Sequence, residues 1–195
     1  MIIGITGGFC SGKSEAAKVF KGLGAKVIDL DNLAHKALKP GTKSFKKIIK
    51  EFGRDLLTNN QIDRSLLAKE VFGSRKKLAK LNSIIHPIVI KRMFGLIKKS
   101  KKNYKIIAVE APLLFEAGMK KYFDYIIVVK ANKKNQIERA IRKIGIGKKD
   151  ILKRINSQWP LKKKAAKADF IIDNNKAVKK MRWQIKEIWK NLISQ

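Results

Sequence analysis

Short blocks of consecutive apolar residues punctuate the chain, and they do not alternate with polar positions. Ile2-Ile3-Gly4-Ile5-Thr6 comes first, then Lys26-Val27-Ile28-Asp29-Leu30, Lys105-Ile106-Ile107-Ala108-Val109, Tyr125-Ile126-Ile127-Val128-Val129 and Phe170-Ile171-Ile172. Unbroken runs of this length suit strands buried on both faces, so the pattern predicts an α/β protein with a five-stranded parallel sheet sandwiched by helices. Between the first two runs a helical period extends from Ser14 through Phe20 to Leu23, where Gly24 closes it. The second run ends at Asp31, and Asn32 to Leu38 reads as a short helix stopped by Pro40-Gly41. Strand, loop, helix, strand is a βαβ beginning.

Two helical stretches interrupt the strand pattern. From about 43 to 102 the apolar positions recur at helical spacing, with Ile48, Ile49 and Phe52 on one face, followed by Leu66, Leu67 and Val71 and then Leu78, Leu81, Ile84 and Ile85. That block shows no strand, and Pro87 after His86 is expected to start a further helix. From about 133 to 167 a Lys-rich helical pair is joined by Gly145-Ile146-Gly147. Both stretches read as insertions in one domain covering 1–195, a length that supports a single compact core.

Charge changes the picture less than its size suggests. The formal net charge is +31, which invites polyanions, yet only eight of the 46 basic residues are Arg and the Lys are dispersed over most helices. Solvated Lys-rich faces account for that pattern, attraction of polyphosphate substrates comes second, and nucleic-acid binding third. The aromatic and basic interleaving of a stacking platform is absent, and Trp159, Trp183 and Trp189 are expected to pack. No apolar stretch approaches the roughly 20 residues a membrane span needs, and the start at Met1 lacks a basic leader, so no membrane partner is expected. The single cysteine, Cys10, has no metal-ligand spacing around it, which fits a reducing cytoplasm.

The chemistry enters with Gly7-Gly8-Phe9-Cys10-Ser11-Gly12-Lys13-Ser14, which fits G-x-x-x-x-G-K-[ST] between a strand and a helix. The glycines, Gly8 and Gly12 among them, let backbone N–H groups turn toward phosphate oxygens, the helix beginning near Ser14 adds its positive end, and Lys13 brings charge to the β- and γ-phosphates of ATP. The Ser14 hydroxyl is a Mg²⁺ ligand of that arrangement. Glu110 ends the third strand run, where an acid reaches Mg²⁺ directly or through water. Asp31 closes the second run on the ligand-binding edge of a parallel sheet, where a carboxylate can accept a proton from an attacking hydroxyl or cap the next helix. Arg139, Arg142 and Lys143 share a helix face, with Arg154 on the next helix, as in a lid that closes over phosphates. Cys10 sits near N–H dipoles that could lower its pKa but reads as a passive small residue, and His86 reads as a cap or packed residue.

The ordered set of motifs resembles the dephospho-coenzyme A kinase family, a P-loop kinase type, over nearly the whole length. It comprises Ile5-Thr6-Gly7-Gly8 with Ser11-Gly12-Lys13-Ser14, Val27-Ile28-Asp29-Leu30-Asp31, Leu38-Lys39-Pro40-Gly41, His86-Pro87, Pro112-Leu113-Leu114-Phe115-Glu116 and Ala168-Asp169-Phe170-Ile171-Ile172-Asp173-Asn174. The resemblance implies ATP-dependent phosphorylation of the ribose 3′-hydroxyl of dephospho-CoA. It implies Asp31 as general base, Cys10 to Glu15 (Cys10, Ser11, Gly12, Lys13, Ser14, Glu15) as the ATP-binding segment, Arg139 as a lid arginine, and Asn174 beside the adenine. It also makes 43–102 an acceptor-binding insertion and 133–167 a lid. Cys10, Glu15, Leu30, Lys143 and Lys176 depart from the family pattern, where Gly, Thr, Ala, Arg and Gly are usual. Lys143 keeps charge but lacks the bidentate fork of Arg.

The expected enzyme is therefore a cytoplasmic kinase, a monomer or weak homo-oligomer, with ATP and Mg²⁺ as cofactors and no specific nucleic acid. Lys13, Asp31 and Arg139 are its catalytic residues, and Ser14 and Glu110 its metal ligands. The rival readings are a nucleoside-monophosphate-type kinase on the same sheet and a nucleic-acid-binding P-loop ATPase.

Overall fold

The computed structural model describes residues 1–194, the side chain of Phe72 excepted. In chain order the elements are β1 (Ile2–Gly7), α1 (Lys13–Gly22), β2 (Lys26–Asp29), α2 (Leu30–Ala37), α3 (Lys43–Phe52), β3 (Leu57–Thr58), β4 (Gln61–Ile62), α4 (Arg64–Phe72) and α5 (Arg75–Ser100). They continue as β5 (Ile107–Glu110), β6 (Tyr125–Lys130), α6 (Lys133–Ile144), α7 (Lys148–Asn156), α8 (Leu161–Ala165), β7 (Phe170–Asp173) and α9 (Val178–Ile193). Short 3₁₀ turns stand at Arg54–Leu56 and Met119–Tyr122.

The chain divides into two compact units, one built from Met1–Asp29 with Lys98–Gln195, the other from Leu30–Ile97. The first holds the five-stranded sheet, ordered β2-β5-β1-β6-β7 with every pairing parallel. Its strands are the predicted runs, each shifted by a residue or two. The sheet buries Ile3, Ile5, Ala108, Ile127, Val129 and Ile172 against Ala16, Ala17 and Phe20 of α1 and Met181, Ile185 and Ile188 of α9. Because β1 lies between β5 and β6, the chain leaves it in one direction for β2 and later returns on its other side, and the carboxyl end of β1 is the crevice where ligands of such sheets bind.

The second unit is helical around a core of Ile48, Leu56, Ile62, Leu67, Val71 and Leu81. Three expectations change here. The block read as strand-free contains an antiparallel hairpin, Leu57 opposite Ile62 and Thr58 opposite Gln61. Its turn is Asn59-Asn60, with φ of 50° and 60°, the left-handed pair a two-residue hairpin needs. Strands of two residues are too short to show a period. Pro87 does not start a helix either, since α5 runs through it. Val89, Met93 and Ile97 are buried beyond the proline and Leu81 before it, and that apolar stripe outweighs one missing N–H. Finally, Asp31 is not at a strand end: β2 stops at Asp29 and Asp31 stands in the first turn of α2.

In the first unit the predicted helical pair of 133–167 is three helices, because Pro160 separates α7 from α8. Trp189 packs on Phe20 with ring centroids 6.4 Å apart, and Trp159 stacks on Phe115. Trp183 does not pack: it is 61% exposed, because Met181, Ile185, Ile188 and Leu192 occupy the inner face of α9.

Candidate active site

The loop from Gly7 to Gly12 joins β1 to α1 and is shaped by backbone conformations that few residues tolerate. Gly12 has φ of 101°, and a Cβ there would collide with Asn174 Nδ2, so both backbone and neighbour demand glycine. At Gly8 the constraint is space alone, because a Cβ would lie 2.9 Å from Gln136 Oε1. Lys13, nearly buried, donates from Nζ to the Gly8 carbonyl at 2.9 Å, spanning the loop it follows.

Ser14, in the first turn of α1, donates from Oγ to Glu110 Oε1 at 2.7 Å. Glu110 is buried at the end of β5, where register pairs it with Ile5 of β1 on one side and Asp29 of β2 on the other. Parallel pairing thus brings the hydroxyl and carboxylate expected at a Mg²⁺ site together. Two hard oxygen donors beside a phosphate loop match that ion, which takes few protein ligands and completes its shell from water and substrate phosphate. Among the described residues no group of three or more His, Cys, Asp or Glu forms a larger metal cluster.

A second contact set closes the other side of the loop. Asn174, buried just after β7, donates from Nδ2 to the Ser11 carbonyl at 2.8 Å, while its own N–H donates to the Lys130 carbonyl at 2.8 Å. Arg139 of α6 donates from Nη2 to the Asn174 carbonyl at 2.8 Å and from Nη1 to the Ser11 carbonyl at 3.4 Å. Ser11, Asn174 and Arg139 therefore form one cluster, although they lie far apart in sequence.

Sequence reasoning missed Gln136, three residues before Arg139 on the same helix. It is buried, donates from Nε2 to the Ala131 carbonyl at 2.8 Å, and leaves Oε1 without a partner against the loop. Its spacing to Arg139 was the available signal, but an uncharged residue in a basic helix does not stand out. Ser11 Oγ is likewise buried and unpartnered.

Cys10 adopts φ of 51° in the loop. Burial pushes its thiol up, against the lowering charges of Lys13, Lys143, Arg154 and Arg139. The thiolate that N–H dipoles would favour is thus disfavoured at Cys10. The same four cations surround the phosphate loop, and the Arg154 guanidinium lies 5.7 Å from the centroid of the Phe9 ring. Glu15 lies in the first turn of α1, 3.8 Å from Lys18 in an exposed pair.

Asp31 and His86 belong to the helical unit. Asp31 is exposed in the first turn of α2. His86 is half-buried, and burial pulls its imidazole below the ordinary value.

The chain is similar to known proteins over nearly its whole length. The family model for dephospho-CoA kinase matches residues 1–180. The dephospho-CoA kinase of Carboxydothermus hydrogenoformans is 41% identical over 194 residues, covering 97% of this chain and 94% of the relative. That of Geobacillus kaustophilus is 36% identical, covering 97% of this chain and 96% of the relative. The solved structure of the Campylobacter jejuni dephospho-CoA kinase superposes with a TM-score of 0.71 at 27% identity, over 98% of this chain and 96% of that one. No helix among the described residues is long and apolar enough to cross a membrane.

Proposed function

The chain belongs to the dephospho-CoA kinase family, and on that premise we propose that it transfers the γ-phosphoryl group of ATP to the ribose 3′-hydroxyl of dephospho-CoA, giving coenzyme A and ADP. This is the last step of coenzyme A synthesis. The observation that carries the mechanism is the convergence of Lys13, Ser14, Glu110, Ser11, Asn174 and Arg139 around one phosphate loop.

Phosphoryl transfer asks the protein for positioning and for charge to meet three equatorial oxygens. The loop from Gly8 to Gly12 offers backbone N–H groups to the β-phosphate. Lys13 exchanges the Gly8 carbonyl for phosphate oxygen, and Cys10 to Glu15 line the nucleotide. Ser14 and Glu110 would hold Mg²⁺, which when bound neutralises charge on the β- and γ-phosphates. Arg139 has five N–H donors, of which two hold the Ser11 and Asn174 carbonyls, so further donors are left for the transferring group. Asn174 supports the loop beside the adenine. Asp31 orients the acceptor hydroxyl and takes its proton.

In this reading α6 and α7 form the lid that excludes water, and the 43–102 segment binds dephospho-CoA. The enzyme works in the cytoplasm as a monomer or weak homo-oligomer. Its excess Lys supply general attraction for polyphosphate and no specific nucleic-acid recognition.

The test is product formation with MgATP and dephospho-CoA, against nucleoside monophosphates, adenosine and nucleic acid, with product mass determined. Coenzyme A appearing only with dephospho-CoA is the expected result. Turnover on a nucleoside monophosphate alone would replace the acceptor, and stimulation by nucleic acid alone would replace the class.

A further inference from the structure

Lys164 has no exposed surface, although it is the last of three consecutive lysines. Its Nζ donates to Glu116 Oε1 at 2.8 Å and to the Pro112 carbonyl at 2.9 Å. Glu116 Oε1 also accepts the backbone N–H of Trp159 at 2.8 Å. The Pro112 carbonyl accepts, besides Lys164, the hydroxyl of Thr6 at 3.3 Å. A continuous polar chain therefore runs from Thr6, next to the phosphate loop, through Pro112, Lys164 and Glu116, to the turn that follows α7.

Stability alone does not account for this junction. Burial pulls the Lys164 ammonium down, and the Glu116 carboxylate only partly offsets that cost. Glu116 Oε2 and Gln158 Oε1 are buried beside it without partners. A buried ion pair is in general weak evidence for stability, because its desolvation cost offsets much of its attraction. What a charged, directional junction adds is a defined geometry for the elements it joins.

Those elements bear on the reaction. Pro112 and Glu116 lie on the loop that begins just after Glu110. Trp159 is clamped at the root of α7, its ring stacked on Phe115 at 6.1 Å and covered by Lys163 Nζ at 4.0 Å. Along α7 itself Arg154 reaches the Phe9 ring of the phosphate loop.

We propose that Lys164 and Glu116 are positioning residues for phosphoryl transfer: their buried pair fixes the root of α7 to the loop after β5, and so sets where the lid cations stand over the phosphate loop. The pair touches no reacting atom. It acts by keeping Arg154 in register and water out while the acceptor hydroxyl attacks. This inference rests on the kinase reading above.

The measurement is coenzyme A and ADP formed in the same reaction, for the unmodified protein, Lys164→Met, and the double variant Lys164→Met/Glu116→Leu. The single variant strands a buried carboxylate and can fail to fold, whereas the double variant removes both charges and keeps an apolar filling. With the melting transition retained, the double variant is expected to lose kcat by roughly tenfold to a hundredfold, as misplaced groups do. ADP formed per coenzyme A should rise at least about twofold as water competes for the phosphoryl group. Glu116→Gln, which keeps an oxygen acceptor for Trp159 and Lys164, is expected to recover part of the coupling. A folded double variant with unchanged kcat and unchanged ADP per coenzyme A overturns the proposal. Absence of coenzyme A with the unmodified protein would instead overturn the kinase reading.

Discussion

Ser14 Oγ donates to Glu110 Oε1 at 2.7 Å, a contact between the first turn of α1 and the last residue of β5. The hydroxyl and the carboxylate come from sequence positions 96 apart, and only the parallel pairing of β1 with β5 makes them neighbours. In the proposed reaction these two oxygens would hold Mg²⁺.

Glu110→Gln tests that site. The amide keeps an oxygen to accept the Ser14 hydroxyl but loses the charge, so the fold should survive while metal affinity falls. We expect the Mg²⁺ concentration for half-maximal activity to rise by about tenfold or more, with Tm changed by only a few degrees. An unchanged Mg²⁺ dependence would remove Glu110 from the metal site.

Asp31→Asn separates catalysis from binding. Asp31 is exposed, and Asn keeps its size and one oxygen acceptor, so the fold should survive with Tm changed by only a few degrees. Loss of the proton acceptor should lower kcat by roughly a hundredfold or more, with ATP affinity within about threefold. Equal losses in turnover and in ATP affinity would make Asp31 a structural residue or a metal ligand.

The sheet was legible because strands buried on both faces carry their whole signal locally, in runs such as Tyr125 to Val129. The place of the Gly7 to Ser14 loop between β1 and α1 was legible for a similar reason, since its eight residues are consecutive. The Asn59-Asn60 hairpin and the passage of α5 through Pro87 were not, because a two-residue strand has no period and packing on both sides of a proline is a tertiary fact. Lys164 was the least visible of all. Nothing in Lys162-Lys163-Lys164 separates the one that is buried against Glu116 from the two that are exposed, and the fold alone makes that choice.

His86 gives a pH signature to stability. Burial lowers its folded pKa below the ordinary 6.5, so between those two values the unfolded chain binds a proton that the folded chain refuses. This contribution is complete above about pH 6.5 and is lost as pH falls through the folded pKa. Tm measured from pH 8 down to pH 5 should therefore fall more steeply for the unmodified protein than for His86→Gln. Parallel Tm curves would show that His86 titrates alike in both states.

The Gly12–Asn174 contact lends itself to a double-mutant cycle on nucleotide binding and stability. Asn174→Ala removes the Nδ2 donor from the Ser11 carbonyl and should cost about 1 kcal/mol or somewhat more, because the carbonyl loses its closer partner at 2.8 Å and keeps Arg139 at 3.4 Å. Gly12→Ala imposes two separate penalties. One is the left-handed backbone at φ of 101°, about 1–2 kcal/mol for a residue with a Cβ, and the other is displacement of the Asn174 amide. In the Asn174→Ala background the second penalty vanishes while the first remains. The two substitutions should therefore be sub-additive by about 1 kcal/mol in urea unfolding. Each single variant should raise the KM for ATP by about tenfold, since both disturb the loop that holds the phosphates. Strict additivity in stability would mean that Asn174 gives way to a Cβ at Gly12 without cost, and that the Ser11 carbonyl does not depend on its amide.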